Sequence, residues 1–331
     1  MASYIARRKF LATLLGGAAL WPLAARAQQQ AMPVVGFLNV ASPDPYRPMV
    51  AAFRQGLKES GYVEDRNVAI EFRWAGGRTD RLPAMAAELV HRQVSVIAAT
   101  STPAALTAKA AITTIPIVFE TGGDPVKLGL VARLNRPGGN VTGVSQLNAE
   151  TVPKRLQLLH EMIPTATSVA LLLNPTNPVP AELILRSSQA AAQTLGLSLH
   201  VLNASTESDF DGVFANVIQL RAGGLVIASD AFFTSRLEQL AALALRHAVP
   251  TIYEYREFVA AGGLAAYSGG IVEAYRLTGA YVGRILDGKK PGDLPVQQVT
   301  KIEMFLNLKA ATALGITVPL PLLGRADEVI E

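Results

Sequence analysis

Short apolar runs recur along this chain, and most of them end in a small polar cluster followed by a helical pattern. Residues 33–40 are apolar up to Asn39, then comes Ala41-Ser42-Pro43-Asp44-Pro45 and an amphipathic stretch to about Ser60. Gly61 stops that stretch, and residues 67–74 predict a second strand, followed by Ala75-Gly76-Gly77-Arg78-Thr79-Asp80 and a helix to about Arg92. The runs at 94–99 and 115–119 end in Thr100-Ser101-Thr102 and in Thr121-Gly122-Gly123-Asp124. Pro103 and Pro125 stand where each following helix would begin. Four strand–loop–helix units in regular alternation predict a parallel sheet with helices on both faces.

The segment NRPGGN at 135–140 breaks the rhythm, and residues 141–144 read as a hinge or crossover outside the first series of strands. The pattern then restarts with a helix over 152–163 and a strand over 168–173 that ends in Asn174-Pro175-Thr176-Asn177-Pro178. A helix to about 195, a strand at 198–203 and a helix at 209–221 follow. The strand at 225–228 carries Ser229-Asp230, a helix spans 232–247, and strands fall at 251–255 and 264–267. The helix at 272–287 and the tail from 296 have apolar periodicity and must pack back on the body. The expected architecture is α/β: two doubly wound parallel-sheet lobes joined by a multi-strand hinge. Lobe 1 takes 32–143 with about 270–300, and lobe 2 takes 144–269 with about 301–331.

In an open parallel sheet the carboxyl ends of the strands face a crevice, and the helices that follow aim their free N–H groups into it. The candidate ligand contacts are therefore Ser42, Thr100, Ser101, Thr102, Thr121 and Asp124 from the first lobe. The second lobe offers Asn177, Asp230, Tyr253, Glu254 and Tyr267. Ser, Thr and Asp also cap helices for stability alone, so any one of these has a structural reading. Two decorated junctions on adjacent strands favour a site.

Composition narrows the class. Half the residues are hydrophobic and 17% are charged, which suits a folded α/β protein. The absence of cysteine excludes disulfides, thiolate metal sites, a cysteine nucleophile and a lipidated N-terminal cysteine. The net charge of +4 equals the contribution of Arg7, Arg8, Lys9 and Arg26, so residues 28–331 are close to neutral and offer no basic footprint for nucleic acid. Residues 1–27 read as a signal peptide cleaved after Ala27: a basic start, an apolar run over 12–23 and Ala25-Arg26-Ala27. Arg7-Arg8-Lys9-Phe10-Leu11 resembles a twin-arginine signal. The expected location is the periplasm.

The segments GRTDRLPAMAAELV, TSTPAALTAKAAITTIPIVFETGGDPVKLGLV, NRPGGNVTGVS, PKRLQLLHEMIPTATSVALLLNP, YREFVAAGGLAAYSG and LNLKAATALGITVPLPLLGRADEVIE carry a resemblance. Together they resemble the bacterial ABC-transporter substrate-binding proteins related to the tryptophan-binding TrpX group, over nearly all of the chain after residue 31. The resemblance implies a periplasmic-binding-protein type I fold, a small solute held between the lobes, an inner-membrane ABC permease as partner and a monomer. For amino-acid ligands it implies that Ser101, Thr102 and Thr121 bind a carboxylate and that Asp124 or Asp230 faces the amine. Where many relatives have Asp-Pro-Phe-Phe, this chain has Asp230-Ala231-Phe232-Phe233, keeping the acid without the proline.

An enzyme is not expected. Residues 283–289 approach a phosphate-binding loop, but Lys290 stands where Ser or Thr must hold magnesium. His160-Glu161 has Pro164 in place of the second zinc-ligating His, and Gly143-Val144-Ser145-Gln146-Leu147 lacks the closing Gly of a nucleophile elbow. His91, His160, His200 and His247 fall away from the decorated strand ends, so no metal or cofactor is called for. The alternative to a transport role is a periplasmic receptor that presents its ligand to a signalling partner. A DNA-binding regulator is ruled out by the export signal and by the lack of a helix-turn-helix before Pro33.

Overall fold

The computed structural model describes residues 32–331, so the export segment lies outside the described residues. The strands are β1 (Val34–Asn39), β2 (Ala69–Trp74), β3 (Val96–Ala99), β4 (Ile117–Thr121) and β5 (Val141–Ser145). They continue with β6 (Ser168–Leu173), β7 (Ser198–Asn203), β8 (Leu225–Ile227), β9 (Thr251–Tyr253) and β10 (Ala265–Gly269). The last three are β11 (Gln297–Gln298), β12 (Ile302–Asn307) and β13 (Glu328–Ile330). They form a six-stranded sheet ordered β11-β5-β4-β3-β1-β2 and a seven-stranded sheet ordered β13-β12-β10-β9-β8-β6-β7. The chain passes between the sheets after Ser145, after Gly269 and after Gln298, which gives the joint three strands.

The central strands β3 and β4 are buried along their whole length, as strands covered by helices on both faces must be. In the first sheet all pairings are parallel. The second sheet is mixed: β12 runs antiparallel to β10, with Ala265 opposite Leu306. The chain that returns after Gln298 enters this sheet at the end where β10 leaves it, so β12 can only run back along its neighbour.

Helix α1 (Arg47–Glu59) places Met49, Val50, Phe53 and Leu57 on its buried face at helical spacing. Helices α2 (Leu82–His91) and α3 (Thr102–Ala111) cover the first sheet, while α4 (Val152–Met162) and α5 (Pro178–Leu195) belong to the second. Further on come α6 (Asp209–Gln219), α7 (Ala231–Thr234), α8 (Leu237–Arg246), α9 (Arg256–Ala260) and α10 (Ile271–Leu286). The last of these lies against α1 on the first sheet, reached from the second through Gly270.

Three local expectations are corrected. Residues 141–145 belong to the first sheet, with β5 pairing in parallel with β4 from Ile117 opposite Val141 to Thr121 opposite Ser145. Gly138 and Gly139 adopt positive φ, so the turn folds the chain back beside β4 where an L side chain would be strained. The helix expected from 232 to 247 is two helices, α7 and α8, separated at Ser235 and Arg236. No helix starts at Pro125; residues 125–129 make turns that reverse at Gly129, φ +70°. The first lobe therefore offers one helix N-terminus next to β3 and not a second beside β4. Among the described residues no helix is long and apolar enough to cross a membrane.

Candidate functional site

Both sheets contribute to one cavity at the carboxyl ends of their strands, with an empty volume of ≈ 530 Å³ counted out to its mouth. One wall is the start of α3. Thr100 to Pro103 line it, and Ser101 is the extended residue that precedes the helix. This loop is held from below: Asn39 Nδ2 donates to the Thr100 carbonyl at 2.6 Å, to Thr100 Oγ1 at 2.9 Å and to the Tyr275 hydroxyl at 3.0 Å. The Tyr275 hydroxyl donates in turn to the Thr100 carbonyl at 2.8 Å. A helix start fixed in this way presents N–H groups that no backbone carbonyl occupies, which suits an anionic group.

Glu120, at the end of β4, and the glycines Gly122 and Gly123 complete the first lobe's share. Glu120 is 4% exposed and its Oε1 accepts a hydrogen bond from Gln146 Nε2 on the first crossover. Among the described residues no Lys, Arg or His forms an ion pair with it. Burial pushes its carboxyl up to about 7, against the Gln146 hydrogen bond and with a small addition from the Glu254 charge.

A carboxyl raised in the native state binds its proton more tightly there than in the unfolded chain. The stability it contributes is full below its ordinary value of 4.5 and is lost as pH rises through about 7. A shift of that size is worth about 3 kcal/mol. The ligand-free protein should therefore melt at a lower temperature at pH 8 than at pH 5, and Glu120→Gln should remove most of the difference. Equal wild-type-minus-variant melting differences at the two pH values would count against this assignment.

The second lobe supplies Asn177, Ser229, Asp230, Thr234, Glu254 and Tyr255. Asp230 is half-buried and caps α7: Oδ1 accepts from the Phe232 N–H at 2.9 Å and from Asn174 Nδ2 at 3.0 Å, and Oδ2 accepts from Asn177 Nδ2 at 3.2 Å. Glu254 is buried beside Arg155, with Oε2 3.7 Å from Nη2. Burial raises the Glu254 carboxyl, and the guanidinium offsets part of that rise. Arg155 is fully buried on α4. It donates through Nη1 to the Ile227 carbonyl at 3.0 Å, and through Nη2 to the Asn148 carbonyl at 2.6 Å and to Ser229 Oγ at 2.8 Å. One cation thus gathers the ends of β8 and β9 and the crossover between the lobes.

The crossovers are tied to each other and to the site. Asn148 Nδ2 donates to Gln146 Oε1 at 2.7 Å, the Gly269 N–H donates to Asn148 Oδ1 at 3.0 Å, and the Tyr255 hydroxyl donates to Gln146 Oε1 at 3.4 Å. Tyr46 and Tyr255 are the aromatic side chains in the cavity wall.

Of the residues singled out in the sequence, Thr100, Ser101, Thr102, Asn177, Asp230 and Glu254 line this cavity. Thr121 stands behind its wall, its Oγ1 2.7 Å from Thr102 Oγ1. The other four do not line it. Ser42 lies in a separate recess between Gly76, Gly77 and Arg78 on one side and residues 205–208 on the other. Asp124 accepts from the N–H groups of Val126 at 2.8 Å and Lys127 at 3.3 Å, the local turn bonding that short acids favour. Tyr253 is wholly buried, with its ring edge-on to Phe258 at 5.7 Å and its hydroxyl 2.9 Å from Thr234 Oγ1. Tyr267 packs partly buried against the second lobe's core. Strand alternation explains both tyrosines: their side chains point into the core layers and not along the strand end.

Residues 35–330 match the family model of the ABC transporter substrate binding proteins. The chain is an ABC transporter substrate-binding protein. It is 27% identical to the tyrosine-binding protein of Clostridioides difficile over 264 residues, covering 80% of this chain and 75% of the relative. A conserved domain protein from Vibrio cholerae superposes with a TM-score of 0.83 at 27% identity, covering 90% of this chain and all of the other. The ABC domain from Streptococcus pneumoniae in complex with L-Trp gives 0.81 at 24% identity over 91% and 100%. The binding protein's two lobes have the periplasmic-binding-protein type I fold shared with LacI-type regulators. The family binds solutes and is not one of enzymes, and substrate-binding proteins of ABC importers work outside the cytoplasm.

Proposed function

We propose that this binding protein captures a small zwitterionic amino acid, of the aromatic class, and delivers it to an ABC importer. The observation that carries the reading is the polarity of the cavity at the carboxyl ends of the two sheets. Neutral donors and a helix start on the first lobe suit a carboxylate, while Glu120, Asp230 and Glu254 face the same space with Arg155 as, among the described residues, their one buried cationic neighbour. Three acids against one guanidinium leave room for an ammonium. Tyr46 and Tyr255 provide ring faces for an apolar or aromatic side chain. Relatives named for tyrosine binding and crystallised with L-Trp support the same class. In this reading the protein works as a monomer in the periplasm, freed of residues 1–27.

A thermal-shift screen of the amino acids, sugars, purines and organic acids tests it. A ligand at a hundredfold excess over its Kd adds about 2.7 kcal/mol, a shift of several degrees. Stabilisation by neutral sugars alone would overturn the amino-acid reading. Asp230→Ala removes an acid from the cavity and frees Asn174 and Asn177, and should weaken binding of the best amino acid at least tenfold. The same variant loses a helix cap worth about 1 kcal/mol and stays folded; unchanged affinity by calorimetry would remove Asp230 from the site.

A further inference from the structure

The three acids of the cavity are not equivalent. Asp230 already accepts three hydrogen bonds, from Asn174, Asn177 and the Phe232 N–H. Glu254 has the Arg155 guanidinium 3.7 Å away and accepts from Thr234 Oγ1 at 3.3 Å. Among the described residues Glu120 has a single hydrogen-bond partner, the neutral amide of Gln146, and it is 4% exposed. The titratable groups facing it are the Glu254 carboxyl and the phenols of Tyr46, Tyr255 and Tyr275, none of them a cation. Below its titration a buried carboxyl placed in this way is mostly protonated, and an arriving cation favours its ionised form.

We propose that Glu120 is the receptor for the ligand's ammonium group and that it gives up its own proton when that ammonium binds. This rests on the amino-acid reading above and adds the identity of the ammonium contact and a proton count. The balance is simple. The ligand keeps its three ammonium protons, the O–H bond of the Glu120 carboxyl breaks, the carboxylate pairs with the ammonium, and one proton leaves to solvent. Two properties of the cavity support the exchange. Glu120 sits on the wall beside Gly122 and Gly123, on the same lobe as the helix start that suits the carboxylate, so one amino acid can reach both. Its carboxyl titrates at about 7, so the exchange costs little near neutrality. The other side of Gln146 reaches Asn148 and Tyr255, so the residue that reports the charge state of Glu120 also belongs to the joint between the lobes.

The consequence is a proton-linked affinity. Titration calorimetry of L-tyrosine and L-tryptophan at pH 6, in buffers of different ionisation enthalpy, should read close to one proton released per ligand bound. At pH 8 the release should fall to a small fraction, and the wild-type Kd should be about tenfold lower than at pH 6. Amino-acid ammonium groups stay protonated across this range, so the ligand does not contribute. Glu120→Gln keeps an acceptor for Gln146, and in this variant binding should weaken and the proton release should vanish at both pH values. The wild-type pH series needs no variant and stands if Glu120→Gln fails to fold. Binding of either amino acid to the wild type without proton release at pH 6 overturns the proposal. Release that persists in Glu120→Gln and disappears in Glu254→Gln overturns it as well, assigning the exchange to Glu254. Failure of both amino acids to bind at any pH overturns the amino-acid reading and this proposal with it.

Discussion

Arg155→Met should lower the melting temperature by about 10 °C, corresponding to about 3 to 5 kcal/mol for breaking a buried ion pair from one side. The side chain has no exposed surface, and it donates to three acceptors at the cavity wall: the Ile227 carbonyl, the Asn148 carbonyl and Ser229 Oγ. Methionine matches much of the volume and none of the donors, so the loss is one of polarity and not of packing. Glu254 would be left buried without its counter-charge and Ser229 would lose the bond that fixes it beside Asp230. Adding Glu254→Gln to Arg155→Met should restore part of the loss, because the second change removes the uncompensated charge. A coupling of about 1 to 3 kcal/mol in the double-mutant cycle is expected for groups that share partners. Thermal and denaturant melts of the four proteins measure it. A single-mutant drop under 2 °C, or additive effects, would show that Arg155 is not the anchor of the second lobe's wall. The interaction joins stability to function, since the same cation holds both strand ends that face the ligand.

The lobes were legible in the sequence because a parallel strand buried on two faces reads as a continuous apolar run, and here nearly every run ends in Ser, Thr, Asn or Asp. Thr100, Ser101 and Asp230 followed directly from that punctuation, and the structure places all three on the cavity. The expected contacts that lie elsewhere share a cause: sequence position at a strand end does not give side-chain direction. Tyr253 ends β9 and Tyr267 lies in the middle of β10, and both rings pack against the core, while Asp124 spends its carboxylate on its own turn. The residues passed over left weaker traces. Glu120 is an acid inside the otherwise apolar run at 115–119 and its continuation, and a charge in a doubly covered strand is itself a sign of function. Arg155 follows Lys154 in an amphipathic helix, and only the spacing from Val152 to Leu156 and Leu159 marks it as the inward-facing one of the two. The antiparallel β12 could not be read at all, because direction depends on where the returning chain enters the second sheet.

Gly56→Ala and Gly212→Ala, the same exchange in two helices, should move stability in opposite directions. Alanine is favoured over glycine in a helix interior by about 1 kcal/mol. At Gly212 on α6 a Cβ meets nothing within 4 Å, so that preference acts alone and the variant should be more stable. At Gly56 on α1 a Cβ would overlap the Arg276 carbonyl of α10 and crowd the Ala280 nitrogen. Gly279 of α10 makes the reciprocal approach to the Phe53 carbonyl of α1, so the two helix backbones touch through their glycines. Neither contact involves a flexible side chain, and one helix must move off the other. Overpacking of this kind costs about 1 to 3 kcal/mol or more, which outweighs the propensity gain and should leave Gly56→Ala destabilised by about 2 kcal/mol. The displacement also reaches the site. Tyr275 lies on α10 one turn before Gly279, and its hydroxyl holds the Thr100 carbonyl at the start of α3. Gly56→Ala should therefore weaken ligand binding beyond what its stability loss explains, whereas Gly212→Ala leaves affinity unchanged. Paired melts and titrations decide it: a stabilised Gly56→Ala, or one with wild-type affinity, would mean that the α1 to α10 seam yields without disturbing the ligand cavity.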